Sequence, residues 1–317
     1  MPKYSIIVPV YNRPQEVEEL LESLTKQTFK YFEVLLVEDG SSITSEKVFE
    51  KYAGKLNVRY FFKPNTGPGP SRNFGFEKAR GEYFVLFDSD CIIPPKYFEE
   101  VEIFLTRTPL QAWGGPDKGH EDFTAVQRAM AYTMSSTLTT GGIRGGVTKG
   151  FQPRSFNMGI SKEVFQQTRG FRFDRYAEDI ELSIRIRKAG FKTGLIPEAY
   201  VFHKRRTDFR QFYHQVFNFG RGRVLVGRAH SGEVKPTHWF PAFFLIGMLS
   251  LPFLFIFNST VAMVGLATYI FYLSLILLGC SLTTRSILVG LLSVPAACIQ
   301  LVGYGHGFLK EMARARI

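Results

Sequence analysis

The sequence predicts an α/β protein built on a mostly parallel sheet with helices on both faces, followed by membrane-spanning helices. Three observations predict this. Short β-branched apolar runs alternate with helical patterns through the first part of the chain. Those runs end in polar or acidic residues, where ligands of parallel sheets bind. Residues 236–309 carry one Arg, no Lys and no Asp or Glu.

Tyr4–Val10 (YSIIVPV) is apolar with little alternation, the pattern of a strand buried on both faces. Asn12 and Pro14 then open a helix in which Val17, Leu20, Leu21 and Leu24 recur at helical spacing. Residues 32–37 (FEVLLV) form a second buried strand that ends in Glu-Asp-Gly-Ser. A helix over 45–52, a strand over 58–62 and a helix over 70–79 follow. Tyr83–Phe87 (YFVLF) is the next strand, ending in Asp88-Ser89-Asp90. The strand ends thus present Tyr11-Asn12, Glu38-Asp39-Gly40 and Asp88-Ser89-Asp90.

The 317 residues hold 39 Lys and Arg against 28 Asp and Glu, a net charge of +11, which suits anionic partners. Cys91, Cys280 and Cys298 have no CxxC spacing, so neither a disulfide framework nor a zinc site is expected. No GxGxxG and no GxxxxGK[ST] occurs, which excludes Rossmann and P-loop phosphate cradles at their defining step. Carboxylates facing a diphosphate repel it unless a divalent cation intervenes. Asp88 and Asp90, at i and i+2 after a strand, could hold Mg²⁺ or Mn²⁺ through hard oxygen atoms. A solvated turn would use the same residues.

The segments IIVPVYNRP, VEDGS, GPSRNFG, GEYFVLFDSD and EDIELSIRIRKAGF, in this order and spacing, resemble the family 2 glycosyltransferases of GT-A fold. The resemblance covers residues 3–203, taken as the catalytic domain 1–203. It implies that Tyr11 lies against the donor base and that Asp39 hydrogen-bonds base or ribose. It also implies that Arg72 helps hold the donor, with Pro9, Asn12 and Ser89 as further donor-binding positions. Asp88 and Asp90 match the DxD metal and diphosphate motif, and His203, ending a short strand over 199–202, is a further candidate metal ligand. Glu178-Asp179 match the ED motif, with Asp179 as general base and Glu178 or Glu181 orienting it or binding acceptor. By itself Arg72 also reads as a helix-surface cation, Glu178-Asp179 as the acidic start of a helix, and His203 as an ordinary structural histidine. Residues 141–150 (GGIRGGVTKG) read as a loop, in a region that contacts acceptor in the family. Asn157, Met158 and Gly159 are expected to form a turn ahead of the ED helix.

Residues 239–282 hold two spans with a hairpin at Asn258-Ser259-Thr260, and 286–309 a third apolar segment, giving a membrane region over 239–309. Pro295 and Gly303, Gly305 and Gly307 would permit the third to be broken or re-entrant. Residues 204–238 form a basic segment: from His203 to Lys235, eight Lys and Arg stand against two carboxylates, a net +6 that places it on the cytoplasmic side. Two crossings agree with the charge rule. A third would leave Lys310, Arg314 and Arg316, in the basic tail 310–317, outside. Residues 208–228 read as an interfacial amphipathic helix or as a lid whose arginines reach phosphates. This segment faintly resembles the QxxRW segment of processive synthases, but its lack of an Arg-Trp pair speaks against polymer extrusion. Nucleic acid is the poorer partner beside membrane spans. The N-terminal apolar run is too short for a signal peptide and is interrupted by Pro9, so the catalytic portion is expected in the cytosol of an inner or plasma membrane protein.

The expected function is therefore inverting sugar transfer from a nucleotide donor, a UDP-sugar by family expectation, with Mn²⁺ or Mg²⁺. The acceptor would be a hydroxyl of a membrane-proximal, lipid-linked saccharide. Transfer to polyprenyl phosphate, or a degenerate module that only binds sugar nucleotide, are the alternatives.

Overall fold

The structure is a computed structural model that describes residues 1–118, 123–140, 151–203 and 207–314. They form two compact units, residues 1–118 with 151–203 and residues 123–140 with 207–314. The expected loop over 141–150 lies outside the described residues, as do 204–206 and 315–317 of the basic segments.

The first unit is built on β1 (Tyr4–Val10), β2 (Phe32–Asp39), β3 (Val58–Lys63) and β4 (Tyr83–Phe87), paired in parallel in the order β3-β2-β1-β4. Helices α1 (Pro14–Thr25), α2 (Glu46–Tyr52) and α3 (Pro68–Lys78) connect them. After β5 (Cys91–Ile92) and α4 (Tyr97–Arg107) come β6 (Ala112–Gly114), β7 (Asp117–Lys118), β8 (Asn157–Ser161), α7 (Lys162–Thr168), α8 (Glu178–Lys188), β9 (Thr193–Leu195) and β10 (Val201–His203). Two helices of the other unit, α5 (Ala125–Ser135) and α6 (Thr137–Thr140), intervene between β7 and β8. The large sheet continues past β4 as β8-β6-β9, with β8 antiparallel to both neighbours. β5, β10 and β7 make a small second sheet.

The unbroken apolar runs are explained by two cores. Ile6, Val8 and Val10 of β1 face Val17, Leu20 and Leu24 of α1, with Phe98 and Val101 of α4. Ile7 faces the other way, with Phe76 of α3, Val164 of α7 and Leu182 and Ile186 of α8. Each fully buried Val, Leu or Ile contributes about 1.5–3 kcal/mol, and only a strand covered on both faces collects this at successive positions.

The turn expected at Asn157–Gly159 is instead strand β8, in the middle of the sheet. Gly159 is small for a packing reason. A Cβ there would come within 2.1 Å of the Trp113 ring, which is fully buried across the β6–β8 pair.

The second unit is helical. With α5 and α6 it contains α9 (Phe209–Ala229), α10 (Phe240–Phe257), α11 (Ser259–Thr284) and α12 (Ile287–Ala313). The hairpin falls where the polar triplet placed it, with Asn258 Oδ1 accepting the Val261 amide at 3.1 Å to start α11. Three helices here are long and apolar enough to cross a membrane.

α12 is one unbroken helix through Pro295 and its glycines. Those glycines permit close approach: a Cβ on Gly303 would meet Val216 at 2.7 Å, and one on Gly307 the Phe217 carbonyl at 2.0 Å. Residues 208–228 are helical as expected, Asp208 capping the start of α9 through the Gln211 amide (2.8 Å). However, Phe212, Val216 and Val224 on its apolar side are buried against protein.

Candidate active site

Just past β1, Asn12 adopts a left-handed backbone conformation (φ 54°), which asparagine tolerates better than most residues. Its Oδ1 accepts the amides of Ser42 and Ile43, both at 2.9 Å, and its own amide donates to Ser41 Oγ at 2.7 Å. Asn12 therefore ties the end of β1 to the loop after β2, while Tyr11 beside it is exposed. Pro9 is half-buried in β1, opposite Val37.

Asp39 closes β2 and is buried. Its carboxylate accepts the Thr66 and Gly67 amides, each at 2.9 Å, and the Lys63 ammonium. Burial alone would raise this carboxyl; Lys63 and the two amides outweigh it and hold it below its ordinary value. Lys63, at the end of β3, escaped the sequence reading because nothing in its spacing marks it.

α3 begins directly after that clamp and carries Arg72, which is 3% exposed. Nη2 donates to Asp88 Oδ1 at 2.7 Å and Nη1 to Glu178 Oε1 at 3.0 Å, with Phe171 beneath the guanidinium, 5.5 Å to the ring centre. The surface-cation reading of Arg72 thus fails. The side chain joins the end of β4 to the start of α8, 106 positions apart from Glu178 in sequence.

The chain after β4 turns tightly, Cys91 donating its amide to the Asp88 carbonyl at 3.1 Å, and enters β5 with Ser89 buried. β5 pairs with β10 so that Cys91 faces His203. This pairing brings His203 Nε2 to 3.1 Å from Asp90 Oδ1, and His203 stacks on Phe156 with ring centres 5.0 Å apart. Arg13, another residue the sequence did not single out, donates to Asp90 Oδ2 at 2.7 Å.

Among the described residues, Asp90, Cys91 and His203 are the group whose donor atoms converge, all within 4.8 Å of one another. Asp88, expected as a ligand with them, is turned to Arg72 through one oxygen, and its side chain is a third exposed. Adjacent ligands of an octahedral cation with bonds of about 2.1 Å lie about 3 Å apart, so Asp90 and His203 fit Mg²⁺ or Mn²⁺. Cys91 fits it poorly. Burial, with Asp88 and Asp90 nearby, pushes its thiol well up, and a neutral sulfur is a weak partner for a hard cation.

At the start of α8, Glu178 is buried, and desolvation together with the charge of Asp179 raises its carboxyl against the pull of Arg72. Asp179 is partly exposed; among the described residues it accepts the amide of its neighbour Ile180 at 2.8 Å, with Arg154 3.8 Å away. Glu181 has a different role from the one considered for it. It is 1% exposed and held by Arg185 through two bonds of 2.7 Å, while Arg185 also donates to the Thr168 and Gly170 carbonyls. Glu181 fastens α8 to the end of α7.

The family described as "Glycosyl transferase family 2" matches residues 5–169. Poly(ribitol-phosphate) beta-N-acetylglucosaminyltransferase TarS of Staphylococcus aureus is 38% identical over 109 residues, 33% of this chain and 19% of TarS. The matched part covers only 17–19% of the length of the first curated relatives. Among solved structures, TarS in complex with UDP-GlcNAc aligns over 75% of this chain and 70% of its own, with TM-score 0.51 and 22% identity. The mannosyltransferase PcManGT of Pyrobaculum calidifontis, in complex with GDP-Man and Mn²⁺, aligns over 98% of this chain and 87% of its own, with TM-score 0.63 and 16% identity. At these identities the structural likeness concerns the fold.

Proposed function

Because the chain belongs to glycosyl transferase family 2, we propose that it moves a sugar from a nucleoside-diphosphate donor to a hydroxyl of a membrane-proximal, lipid-linked saccharide, inverting the anomeric centre. The observation that carries this reading is the bridge from Asp88 through Arg72 to Glu178, which joins the diphosphate end of the site to the acidic start of α8.

Tyr11 offers an exposed ring for the donor base beside the loop pinned by Asn12. Asp39 holds the backbone of Thr66 and Gly67 at the neighbouring strand end, where base or ribose would be met. Mn²⁺ or Mg²⁺ held by Asp90 and His203 would supply Lewis-acid stabilisation of the leaving diphosphate. Arg72 adds a fixed positive charge on the same side, preorganised by its two carboxylates and Phe171.

Asp179 is the acidic residue at the start of α8 with coordination to spare, because Glu178 is tied to Arg72 and Glu181 to Arg185. It takes the acceptor hydroxyl proton as the acceptor oxygen bonds to the anomeric carbon, and the bond from that carbon to the diphosphate oxygen breaks. The UDP-GlcNAc bound to TarS favours a UDP-sugar donor, the GDP-Man bound to PcManGT keeps a GDP-sugar in the test, and the Mn²⁺ in that complex accords with a divalent cation. The charge of the segments flanking the spans favours a catalytic unit on the cytoplasmic face.

The test is transfer by the full chain in membranes, using radiolabelled UDP- and GDP-sugars and a lipid extract as acceptor. Label entering an acid-stable glycolipid with inverted configuration supports the reading. Retained configuration would contradict it, and an acid-labile lipid-phosphate sugar would move the acceptor to polyprenyl phosphate.

A further inference from the structure

The second unit divides its apolar surface unevenly. α10 and α11 run antiparallel, with Phe244 against Tyr269 and Phe240 against Tyr272 (ring centres 4.9 and 6.1 Å apart). Most of their large side chains are left largely uncovered by protein: Leu249, Phe253, Phe257, Val264, Ile270 and Phe271 are 58–83% exposed.

α12, although similar in length and composition, is covered from Gly303 to Glu311 by α9. Val216 lies at Gly303, Phe217 at Gly307, and Arg221 and Arg228 both reach the buried carboxylate of Glu311, at 2.9 and 3.4 Å. The helix that covers it carries Arg210, Arg221, Arg223 and Arg228. An uncompensated arginine costs about 2.5–3.5 kcal/mol or more at the centre of a bilayer, and four arginines on one helix argue against placing α9, and the stretch of α12 along it, in hydrocarbon. The first part of α12 and the end of α11 pack on α5, Ala129 with Cys280 and Val289, and Arg128 donates to the Thr284 carbonyl at 3.0 Å.

We propose that the hairpin of α10 and α11 alone crosses the lipid bilayer, and that α12 is a protein-covered strut whose two ends stay on the same side. The 18 residues of α10 make a rod of about 27 Å, close to the roughly 30 Å of a hydrocarbon core. At the base of the hairpin, Trp239 packs on Phe308 and Tyr272 donates to the Leu138 carbonyl at 2.7 Å, an aromatic belt where protein cover begins. Its tip, Asn258-Ser259-Thr260, is uncharged. Every Lys and Arg among residues 207–314 then lies on the base side. A third crossing would carry Lys310 and Arg314 across, against the positive-inside rule.

Two measurements on the full chain test this. Reporters sensitive to compartment, fused before Met1 and after Ile317, are expected to report the same side; opposite sides would mean that α12 crosses and overturn the proposal. Thr260→Cys, compared with the unsubstituted chain, is expected to react with a membrane-impermeant maleimide only from the other side. Labelling from the side of the two ends, or labelling only after denaturation, would overturn the crossing of the hairpin.

Discussion

The ends of β2 and β4 each present a carboxylate where a parallel sheet binds its ligands, yet the two are built differently. Asp39 is held by backbone: the Thr66 and Gly67 amides and the Lys63 ammonium donate to it, so that it ties the loop after β3 to the end of β2. Asp90 is met by the side chains of Arg13 and His203, both of which can reorient. A carboxylate fixed by backbone shapes a pocket, whereas one held by side chains can exchange a partner for an incoming cation. Under the proposed function, the same residue type serves architecture at the end of β2 and chemistry in the turn after β4.

Substitutions at the two strand ends, and at the acidic start of α8, can break or sharpen that contrast. Asp179→Asn is expected to have the largest effect, lowering turnover about 100- to 10,000-fold while the donor dissociation constant stays within a factor of about three; weakened donor binding in calorimetry would make Asp179 a donor contact instead. Asp90→Asn should lower transfer about 100-fold or more through lost charge stabilisation, with the unfolding temperature nearly unchanged. A large drop in that temperature would place Asp90 with Asp39 as an architectural group.

Asp39→Asn should do the reverse. It should cost about 1–3 kcal/mol of stability while preserving turnover per folded molecule. Because the Asp39 carboxyl is held below its ordinary value, its stabilisation is present above that value and is lost as pH falls through the folded one. The gap between the two proteins in thermal unfolding should therefore close below about pH 4; a gap independent of pH would remove charge from the explanation.

The smallest effect belongs to Glu178, whose carboxyl is raised from 4.5 to about 7. Its contribution is intact below the ordinary value and lost as pH rises through about 7, so Glu178→Gln should flatten the stability profile between those limits. An unchanged profile would show that Arg72 keeps Glu178 ionised throughout.

Much of the first unit was legible in the sequence for a physical reason. Burial on both faces writes β1, β2 and β4 as unbroken apolar runs, and the strand-end acids and Pro14 mark where they stop. β8 was misread because Asn157 and Gly159 are poor strand residues taken alone, and the Trp113 ring that requires Gly159 lies 46 positions away. Contacts such as Arg13 with Asp90, 77 positions apart, leave no local trace.

The break between α10 and α11 was read correctly from Asn258, but the glycines of α12 were not, since a glycine that breaks a helix and one that admits a neighbour look alike in sequence. Nor did any pattern announce that residues 123–140, within the stretch expected as one catalytic domain, group with the helices of the second unit.

Calorimetric titration of the full chain in detergent with UDP- and GDP-sugars, with and without Mn²⁺, would test whether the ends of β1, β2 and β4 form a donor site. One donor should bind with Mn²⁺, bind at least about tenfold more weakly without it, and lose that dependence in Asp90→Asn. Equal binding with and without Mn²⁺, or an Asp90→Asn chain that keeps the dependence, would contradict a cation held by Asp90 and His203. Failure of every donor to bind the folded protein would contradict the donor site itself.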